Sequence, residues 1–345
     1  MSTTYEEILM EQASLRASAQ YIAEKAKDFC ALLEEPGLKR LIFVGCGSSY
    51  MLASGAAATA GMHLDLPAAA VAGGDLMLHL PRYQAMMEGS LVIALSRSGS
   101  TSEVVRSLEA ARAAGVSFKL AAISCVDDSP LSKMADLALD MPWAFDRSVC
   151  QTRTVSCLYL AALLLIARAA KDEALERSAL DAVEGLEDFR LRVEPQIREV
   201  AAKAWTNGCV LGDAELAGAA DEAALTFKEI CQLPSNYYHL LDVRHGPIVV
   251  LNQTSAVIAA MSDENDSYER ALIEDVKAHG CHVIVCSDED AHIDGVVNVT
   301  FGRKLTQAAR GLPLLLTAQL LTVHKAEAIG VDPDKPGTLD AWIKL

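Results

Sequence analysis

Short apolar runs alternate with longer stretches of helical periodicity in the first half of the chain. The apolar runs lie near residues 41–45, 68–72, 91–96, 120–124 and 137–139, and the helical stretches at 49–62, 101–114 and 154–170. Because these runs are nearly continuous rather than alternating, they predict parallel strands that helices cover on both faces. The first half is therefore predicted to be a doubly wound α/β domain.

The second half repeats this order of elements. After a charged helical stretch at 173–204, strand-like runs lie at 209–212, 256–261, 283–286 and 296–299, with helices predicted at 215–230, 268–279 and 306–329. We infer two tandem doubly wound parallel-sheet domains. The predicted boundaries are a helical segment at 1–38, a first domain at 39–171, a second domain at 200–330 and a tail at 331–345.

Length and hydrophobicity indicate a globular protein with material for two cores. The chain has 345 residues, and 51% of them are hydrophobic. The N-terminus carries Glu6, Glu7 and Glu11 and has no continuous apolar segment, so we expect no signal or transit peptide. The most apolar helical run, 155–167, is too short to span a bilayer. We therefore predict a cytoplasmic protein without a membrane partner.

The charge balance limits the partners of the chain. It has 46 acidic against 30 basic residues, for a formal net charge of −16. Such a protein repels nucleic acid and anionic membranes unless it carries a concentrated basic patch, and the sequence has no basic run. We expect no nucleic-acid partner. A bound anion must then be held by hydroxyls, backbone amides and one or two cationic side chains.

The nine cysteines occur singly, without a CxxC pair or a Cys/His cluster at zinc spacing. The sequence therefore predicts reduced thiols and no metal site. Cys46 lies in a glycine- and serine-rich turn, but a packing or lining role is favoured over a reactive one.

Two polar turns each end a predicted strand and begin a predicted helix. Hydroxyls and backbone N–H groups at a helix N-terminus attract anions, and parallel sheets bind ligands at the carboxyl ends of their strands. The turns are predicted to hold phosphate. Their candidate residues are Ser48 and Ser49 in the first turn and Ser96, Arg97, Ser98 and Thr101 in the second.

Two alternative roles for these turns are less favoured. The second turn alone could be a helix cap with Ser100 or Thr101 at the first position. The first turn has the start of a dinucleotide fingerprint, but the third glycine is missing, and no lysine follows the glycines as a Walker motif requires. Nucleotide binding is therefore disfavoured.

The corresponding turn of the second half, 211–215, carries Asp213 and Glu215, which would repel phosphate. The second half must contribute other chemistry. Glu222 and Glu229 are seven residues apart and share one helix face, although a solvated acidic stripe would show the same spacing. His245 precedes a Gly-Pro turn, and a histidine and a glutamate at one site would serve as acid and base at neutral pH.

Together, these motifs resemble the double SIS (sugar isomerase) domain family. The resemblance rests on the two serine-rich turns, on Lys228-Glu229-Ile230 and on His245-Gly246-Pro247, and it extends from Glu6-Glu7-Ile8 to the Asp-Pro-Asp-Lys-Pro sequence at 332–336. Family members with similar motifs are the isomerase domain of glucosamine-6-phosphate synthase and the AgaS-like phosphosugar isomerases, deaminases and deglycases.

The resemblance implies a role for each candidate residue. Glu229 matches the carboxylate that moves a proton between C1 and C2 of the sugar, and Glu222 matches a second acidic residue near it. His245 matches a histidine that opens the sugar ring and that can reach the site from a neighbouring subunit. Val149 and Gln151 match a segment that contacts the sugar. The family needs no metal or organic cofactor, and it implies a homodimer or a larger homo-oligomer.

The chain departs from the synthase pattern in three ways. It has no counterpart of the glutamine-hydrolysing domain, so synthesis of glucosamine phosphate from glutamine is not expected. Ala341 stands where the synthase has its imine-forming lysine, and Lys344 lies three residues further on. Thr226 replaces a lysine on the catalytic helix.

The resemblance implies a small-molecule enzyme that isomerises or deaminates an amino- or amine-linked hexose phosphate, of the glucosamine-6-phosphate deaminase or fructosamine-phosphate deglycase type. Loss of the nitrogen is favoured over simple ketose/aldose phosphate isomerisation. A non-catalytic phosphosugar-binding sensor is the other alternative. Sensors of this type carry a DNA-binding helix-turn-helix, for which residues 1–38 are too short and too acidic.

Overall fold

The computed structural model describes residues 2–262, 266–337 and 339, which form two compact units. The N-unit comprises residues 13–147 and 151–180. The C-unit comprises residues 2–12 and 148–150 and the described part of 181–339. Ala341 and Lys344, which the comparison with the synthase singled out, lie outside the described residues.

The N-unit contains one parallel sheet of five strands. They are β1 Arg40–Gly45, β2 Ala68–Ala72, β3 Ser90–Ser96, β4 Phe118–Ser124 and β5 Leu137–Asp140. The spatial order is β2-β1-β3-β4-β5, so that the first strand is flanked by the second and the third. This 2-1-3-4-5 order is one of the two common orders of open α/β sheets.

The C-unit contains a second parallel sheet of five strands. They are β6 Asn207–Leu211, β7 Ser235–Tyr238, β8 Ser255–Ala260, β9 His282–Ser287 and β10 Val297–Thr300. Their order, β10-β9-β8-β6-β7, again flanks the first strand of the unit with its second and third. The predicted α/β class with parallel sheets is confirmed, and the two sheets repeat one topology.

Helices precede, connect and follow the strands of both sheets. They are α1 Thr3–Leu9, α2 Glu11–Leu33, α3 Ser48–His63, α4 Gly73–Met87, α5 Ser102–Ala113, α6 Pro130–Met134, α7 Arg153–Ala170, α8 Glu173–Ala201, α9 Ala217–Glu229, α10 Asp266–Ala278 and α11 Gly311–Ile329. By length and composition alone, α7 could cross a membrane, but most of it is buried inside the protein. A core helix has the same properties, so α7 is weak evidence for a membrane span.

The central strands lie in the hydrophobic cores. Every residue of β3 and of β8 is buried, which explains why both were recognisable in the sequence as continuous apolar runs. The sequence pattern did not predict β7, α4 or the short helix α6. The edge strand β7 has the polar sequence Ser-Asn-Tyr-Tyr and is only partly buried. Helix α4 begins at two glycines, contains Pro81 and is kinked at His79, all of which weaken a helical pattern.

Candidate active site

The carboxyl ends of β1 and β3 form the candidate anion site of the N-unit. Val44 pairs with Ala94 in parallel register, so both strands end on the same edge of the sheet. From β1 the chain continues to β2 on one side and then to β3 on the other. This reversal is the switch point at which open α/β sheets bind ligands.

The turn between β1 and α3 requires its glycines. A Cβ on Gly45 would lie 2.4 Å from the carbonyl carbon of Ser49, so only glycine allows the backbone of α3 to approach this closely. Gly47 has φ +54°, a conformation that glycine adopts without steric cost. Ser48 and Ser49 are the first two residues of α3, where the helix end is positively polarised.

The turn between β3 and α5 is braced by its own hydroxyls. Ser96 Oγ accepts a hydrogen bond from the Gly99 amide at 3.0 Å and lies 3.1 Å from Thr101 Oγ1. Ser98 Oγ accepts from the Ser100 amide at 3.2 Å. Ser96 is buried, whereas Ser98 and Thr101 are partly exposed at the start of α5. Within this turn, Ser98 and Thr101 are thus more accessible than Ser96, whose hydroxyl stabilises the turn; Ser48 and Ser49 of the first turn are buried as well.

Arg97 packs within the N-unit. Only 4% of the residue is exposed, and its guanidinium carbon lies 5.9 Å from the centre of the Phe145 ring, within the range of a cation–π interaction. Its backbone carbonyl accepts from the Cys125 amide at 3.1 Å. The Phe145 contact was missed in the sequence, because no spacing pattern relates residues this far apart.

Gln151 carries a buried acceptor at the start of α7. Its Oε1 has no hydrogen-bond partner within the part of the chain that the structure describes. Asp146 holds this helix end, accepting from the Thr152 amide at 2.8 Å and the Thr154 amide at 2.9 Å. Buried amide oxygens are normally paired, so Gln151 is suited to accept a hydrogen bond from a ligand hydroxyl.

Helix α9 of the C-unit carries the two predicted carboxylates. Glu222 is buried, and Glu229, the last residue of the helix, is partly buried. Thr226, between them, donates from Oγ1 to the Ala223 carbonyl at 2.8 Å. Desolvation lowers the pKa of Lys228, although the carboxylates of the same helix act in the opposite direction. The helix thus holds two acidic groups two turns apart, as the sequence predicted.

His245 lies on a separate element of the C-unit. It is the last residue of a 3₁₀ helix, Leu241–His245, and Gly246 follows with φ +131°. His245 is exposed, as are the apolar side chains of Leu241, Val249 and Val250 nearby in the sequence. The imidazole is therefore accessible to solvent in the single chain.

The corresponding edge of the C-unit sheet is occupied by carboxylates. Asp213 Oδ1 accepts from the Leu240 amide at 2.7 Å. Glu269 accepts from the Ser262 amide at 2.9 Å and from the Ser262 hydroxyl at 2.6 Å. The Leu240 amide and both donors of Ser262 are thus paired with acidic side chains.

Cys46 lies in the first of the two N-unit turns, directly after β1. Burial, with a contribution from Glu103, raises the pKa of its thiol to about 11. A protonated thiol is a poor nucleophile, which favours the packing role. Among the residues that the structure describes, no group of three or more His, Cys, Asp or Glu side chains could hold a metal ion.

Comparison with known proteins relates this arrangement to sugar-phosphate enzymes. Residues 37–166 match the SIS domain family. The D-galactosamine-6-phosphate deaminase AgaS of a Shewanella species, strain ANA-3, is 28% identical over 88% of this chain and 79% of its own length. The glutamine–fructose-6-phosphate aminotransferase (isomerizing) of Caulobacter vibrioides is 29% identical over 88% of this chain. The chain spans only 51% of that relative.

A solved structure supports the fold over the whole chain. The tagatose-6-phosphate ketose/aldose isomerase of Escherichia coli superposes with a TM-score of 0.85, covering 99% of this chain and 97% of the isomerase at 21% identity. The resemblance that the motifs predicted is confirmed as a similarity: residues 37–166 match the SIS domain family, and 88% of the chain aligns with AgaS and with about half of the aminotransferase.

Proposed function

We propose that this chain is a sugar-phosphate deaminase that releases ammonia from a 2-amino-2-deoxyhexose 6-phosphate. The observation that carries the proposal is the pair of hydroxyl-rich turns at the switch point of the N-unit sheet, in a chain whose net charge is −16. The acidic chain would repel a phosphate dianion at most of its surface. Binding of the phosphate therefore needs the hydrogen-bond donors of these two turns.

The phosphate anchors the substrate in this proposal. The α3 and α5 N-termini supply backbone dipoles, and Ser48, Ser49, Ser98 and Thr101 supply hydroxyls. Arg97 adds a positive charge close to the same turn. The orphaned Oε1 of Gln151 accepts from a sugar hydroxyl. Binding energy at the phosphate then aligns the reacting carbons, which lie several bonds away.

Glu229 is the proposed base, and its carboxylate performs the proton transfer. His245 first opens the pyranose ring to the free aldehyde. Glu229 then removes the proton from C2, which gives an enaminol, and returns the proton to C1, which leaves an iminium at C2. Water adds to that carbon and ammonia leaves, so that an aldosamine phosphate and water become a ketose phosphate and ammonia. Glu222 holds the substrate close to this carboxylate.

We favour deamination over simple isomerisation because of how the chain matches its sequence relatives. The deaminase AgaS is matched over 79% of its own length, whereas the aminotransferase is matched over about half. Without an external amine donor, the same proton transfer between C2 and C1 runs in the direction that releases nitrogen. A fructosamine phosphate and an unaminated ketose phosphate are the alternative substrates.

The proposal includes two further features that the family resemblance implies. The C-unit acts as a second SIS-type domain, in agreement with its repeated strand order. The protein assembles as a homodimer or larger homo-oligomer in which the exposed His245 serves the site of a neighbouring subunit. A cytoplasmic location completes the proposal, because free hexose phosphates are intracellular metabolites.

An ammonia-release assay tests the function directly. The purified chain is incubated with galactosamine 6-phosphate, glucosamine 6-phosphate and a fructosamine 6-phosphate, and released ammonia and ketose phosphate are measured. Glu229→Gln is the inactive variant and Glu199→Gln, which changes an exposed carboxylate of α8, is the matched control. We expect turnover of one aminohexose phosphate by the wild type and by Glu199→Gln only.

Different outcomes assign the chain differently. Interconversion of aldose and ketose phosphates without ammonia release identifies an isomerase. Tight binding of a sugar phosphate with no turnover across the panel contradicts the enzyme and supports the sensor. Equal turnover by Glu229→Gln and the wild type removes Glu229 from the mechanism.

A further inference from the structure

We propose that Glu7 of α1 is a positioning residue that fixes the backbone at Ser148, directly before Val149. This inference deepens the proposed function, since the Ser148–Cys150 segment is the part of the chain expected to contact the sugar. All the groups involved belong to the C-unit. Glu7 touches the segment, and the segment in turn would touch the substrate.

Glu7 is fully buried, with no exposed surface. Its carboxylate accepts a short hydrogen bond from Ser148 Oγ and lies 3.4 Å from the backbone nitrogen of the same residue. A buried carboxylate is costly unless hydrogen-bond donors satisfy it, so the pairing with Ser148 is strongly preferred over separation. The neighbouring Glu6 is less buried, which shows that an acidic residue at this end of the chain need not be enclosed.

The segment itself alternates between anchored and accessible residues. Ser148 and Cys150 are buried, whereas Val149 between them is only partly buried. Cys150 Sγ lies 3.7 Å from the Pro333 carbonyl oxygen, a second attachment to the C-unit. Ser148 Oγ also lies 2.8 Å from the Cys150 carbonyl oxygen, so its one proton is within reach of both the Glu7 carboxylate and the far end of the segment. Val149 thus lies between two residues whose positions are held by contacts within the C-unit.

Helix α1 is itself held in place at its N-terminus. Asp334 accepts from the Thr3 amide at 2.7 Å and from the Thr4 amide at 2.9 Å. Thr4 Oγ1 donates to the same carboxylate at 2.8 Å. Ser2 caps the helix by accepting from the Tyr5 amide. A carboxylate at a helix N-terminus stabilises the helix. The contacts of Asp334 and Ser2 therefore hold α1, and with it Glu7, in a fixed position relative to Ser148.

Position matters here because a small displacement of a substrate-contacting backbone lowers the rate without abolishing binding. A misplacement of about 1 Å costs about 10²-fold in turnover. The proposed phosphate donors of the N-unit are the hydroxyls and amides of its two turns, so the affinity for phosphate should survive the loss of the Glu7 carboxylate. A purely structural glutamate would instead lower stability without a selective effect on kcat.

The experiment compares Glu7→Gln, Ser148→Ala and the double variant with Glu6→Gln as the control. Backbone hydrogen exchange of residues 148–150 is measured for each, followed by kcat and KM on the substrate that the wild type accepts. We expect exchange at 148–150 to rise at least about ten-fold in both single variants. We also expect kcat to fall about 10²-fold with KM within about two-fold. The double variant should resemble the singles, because the two groups act as one unit.

Each part of the result bears on the inference separately. Unchanged exchange at 148–150 in Glu7→Gln overturns it, whether or not a substrate has been found. A raised exchange with unchanged kcat overturns the positioning role and leaves only a structural one. Additive losses in the double variant contradict the Glu7–Ser148 linkage. If Glu7→Gln fails to fold, Ser148→Ala carries the same test. An inactive wild type contradicts the proposed function instead, while the exchange data still decide on Glu7.

Discussion

The carboxyl edges of the two sheets share a topology and differ in their chemistry. In the N-unit, the strand ends lead into glycine and serine turns at the starts of α3 and α5. In the C-unit, Asp213 and Glu269 accept hydrogen bonds from the amides of Leu240 and Ser262. Backbone donors that are already paired with carboxylates do not need an anion, and the negative charges would repel one. The two copies of the fold therefore offer an anion different surroundings, and our proposal places the phosphate in the N-unit.

The same comparison bears on the acid and base chemistry that we propose. An anion site needs hydroxyls and amides, whereas a proton shuttle needs a carboxylate. The C-unit carries Glu222 and Glu229 on the helix that follows its first strand, where the N-unit carries Ser48 and Ser49. The helices that follow the first strands of the two units thus differ in charge: α3 begins with neutral hydroxyls, whereas α9 carries carboxylates.

We expect glycine substitutions to reveal the largest difference in sugar-phosphate binding between the carboxyl edges of the two sheets. In Gly45→Ala, the new Cβ would lie 2.4 Å from backbone atoms of Ser49, so α3 must move away. We expect a loss of about 1–3 kcal/mol in the free energy of unfolding, together with loss of sugar-phosphate binding. Urea unfolding and isothermal titration with the sugar phosphate measure the two effects.

Gly212→Ala is the matched control in the C-unit, because its Cβ would meet Ala220 Cβ at 2.9 Å at the end of β6. We expect it to lose stability and to retain sugar-phosphate affinity. If both variants lose binding equally, the anion site is not confined to the N-unit.

A smaller effect is expected from the hydroxyl of Ser98. Ser98→Ala removes one donor to the phosphate, and hydrogen bonds to charged groups contribute about 1.5–3 kcal/mol, so affinity should fall roughly 10–100-fold. The fold should survive, since Ser98 lies in the turn between β3 and α5 and is not among the residues of the hydrophobic core. Titration with inorganic phosphate and with the sugar phosphate provides the measurement.

Ser262→Ala serves as its counterpart in the C-unit. Its hydroxyl donates to Glu269 at 2.6 Å, so its removal should affect stability and leave phosphate affinity unchanged. Retained affinity in Ser98→Ala would place the anion elsewhere.

The smallest expected effect concerns Cys46 in the first turn. With its thiol pKa raised to about 11 by burial, about 10⁻³ of the residue is thiolate at pH 8. We expect slow alkylation by iodoacetamide that accelerates towards pH 11, followed by peptide mass spectrometry. Cys46→Ser should retain turnover within about two-fold. Fast labelling at pH 7 together with loss of activity in Cys46→Ser would restore the reactive interpretation.

Much of the fold was predictable because its strands are buried on both faces. Continuous apolar runs located β1, β3 and β8 to within one or two residues. The edge strand β7 and the kinked α4 were not predictable, since polar residues in one and glycines and Pro81 in the other remove the periodic signal. The hydrophobic pattern of a sequence indicates which residues are buried. In β7 and α4 this pattern is weak, so their conformation depends on contacts with neighbouring elements instead.

The site was predictable only in part. Glycine and serine at a strand–helix junction predict where an anion would bind. The internal bonding of Ser96, the packing of Arg97 on Phe145 and the pairing of Glu7 with Ser148 depend on contacts that the sequence pattern does not reveal. Such contacts form only once the chain has folded.

Proton NMR in D₂O tests the central claim most directly. Wild type, Glu229→Gln and Ser98→Ala are each incubated with the aminohexose phosphate that releases ammonia, and deuterium is followed at C1 of the product. We predict deuterium at C1 with the wild type, a much lower rate with Ser98→Ala that recovers at high substrate concentration, and none with Glu229→Gln at any concentration. Deuterium incorporation by Glu229→Gln at the wild-type rate would contradict the assignment of the proton transfer to Glu229.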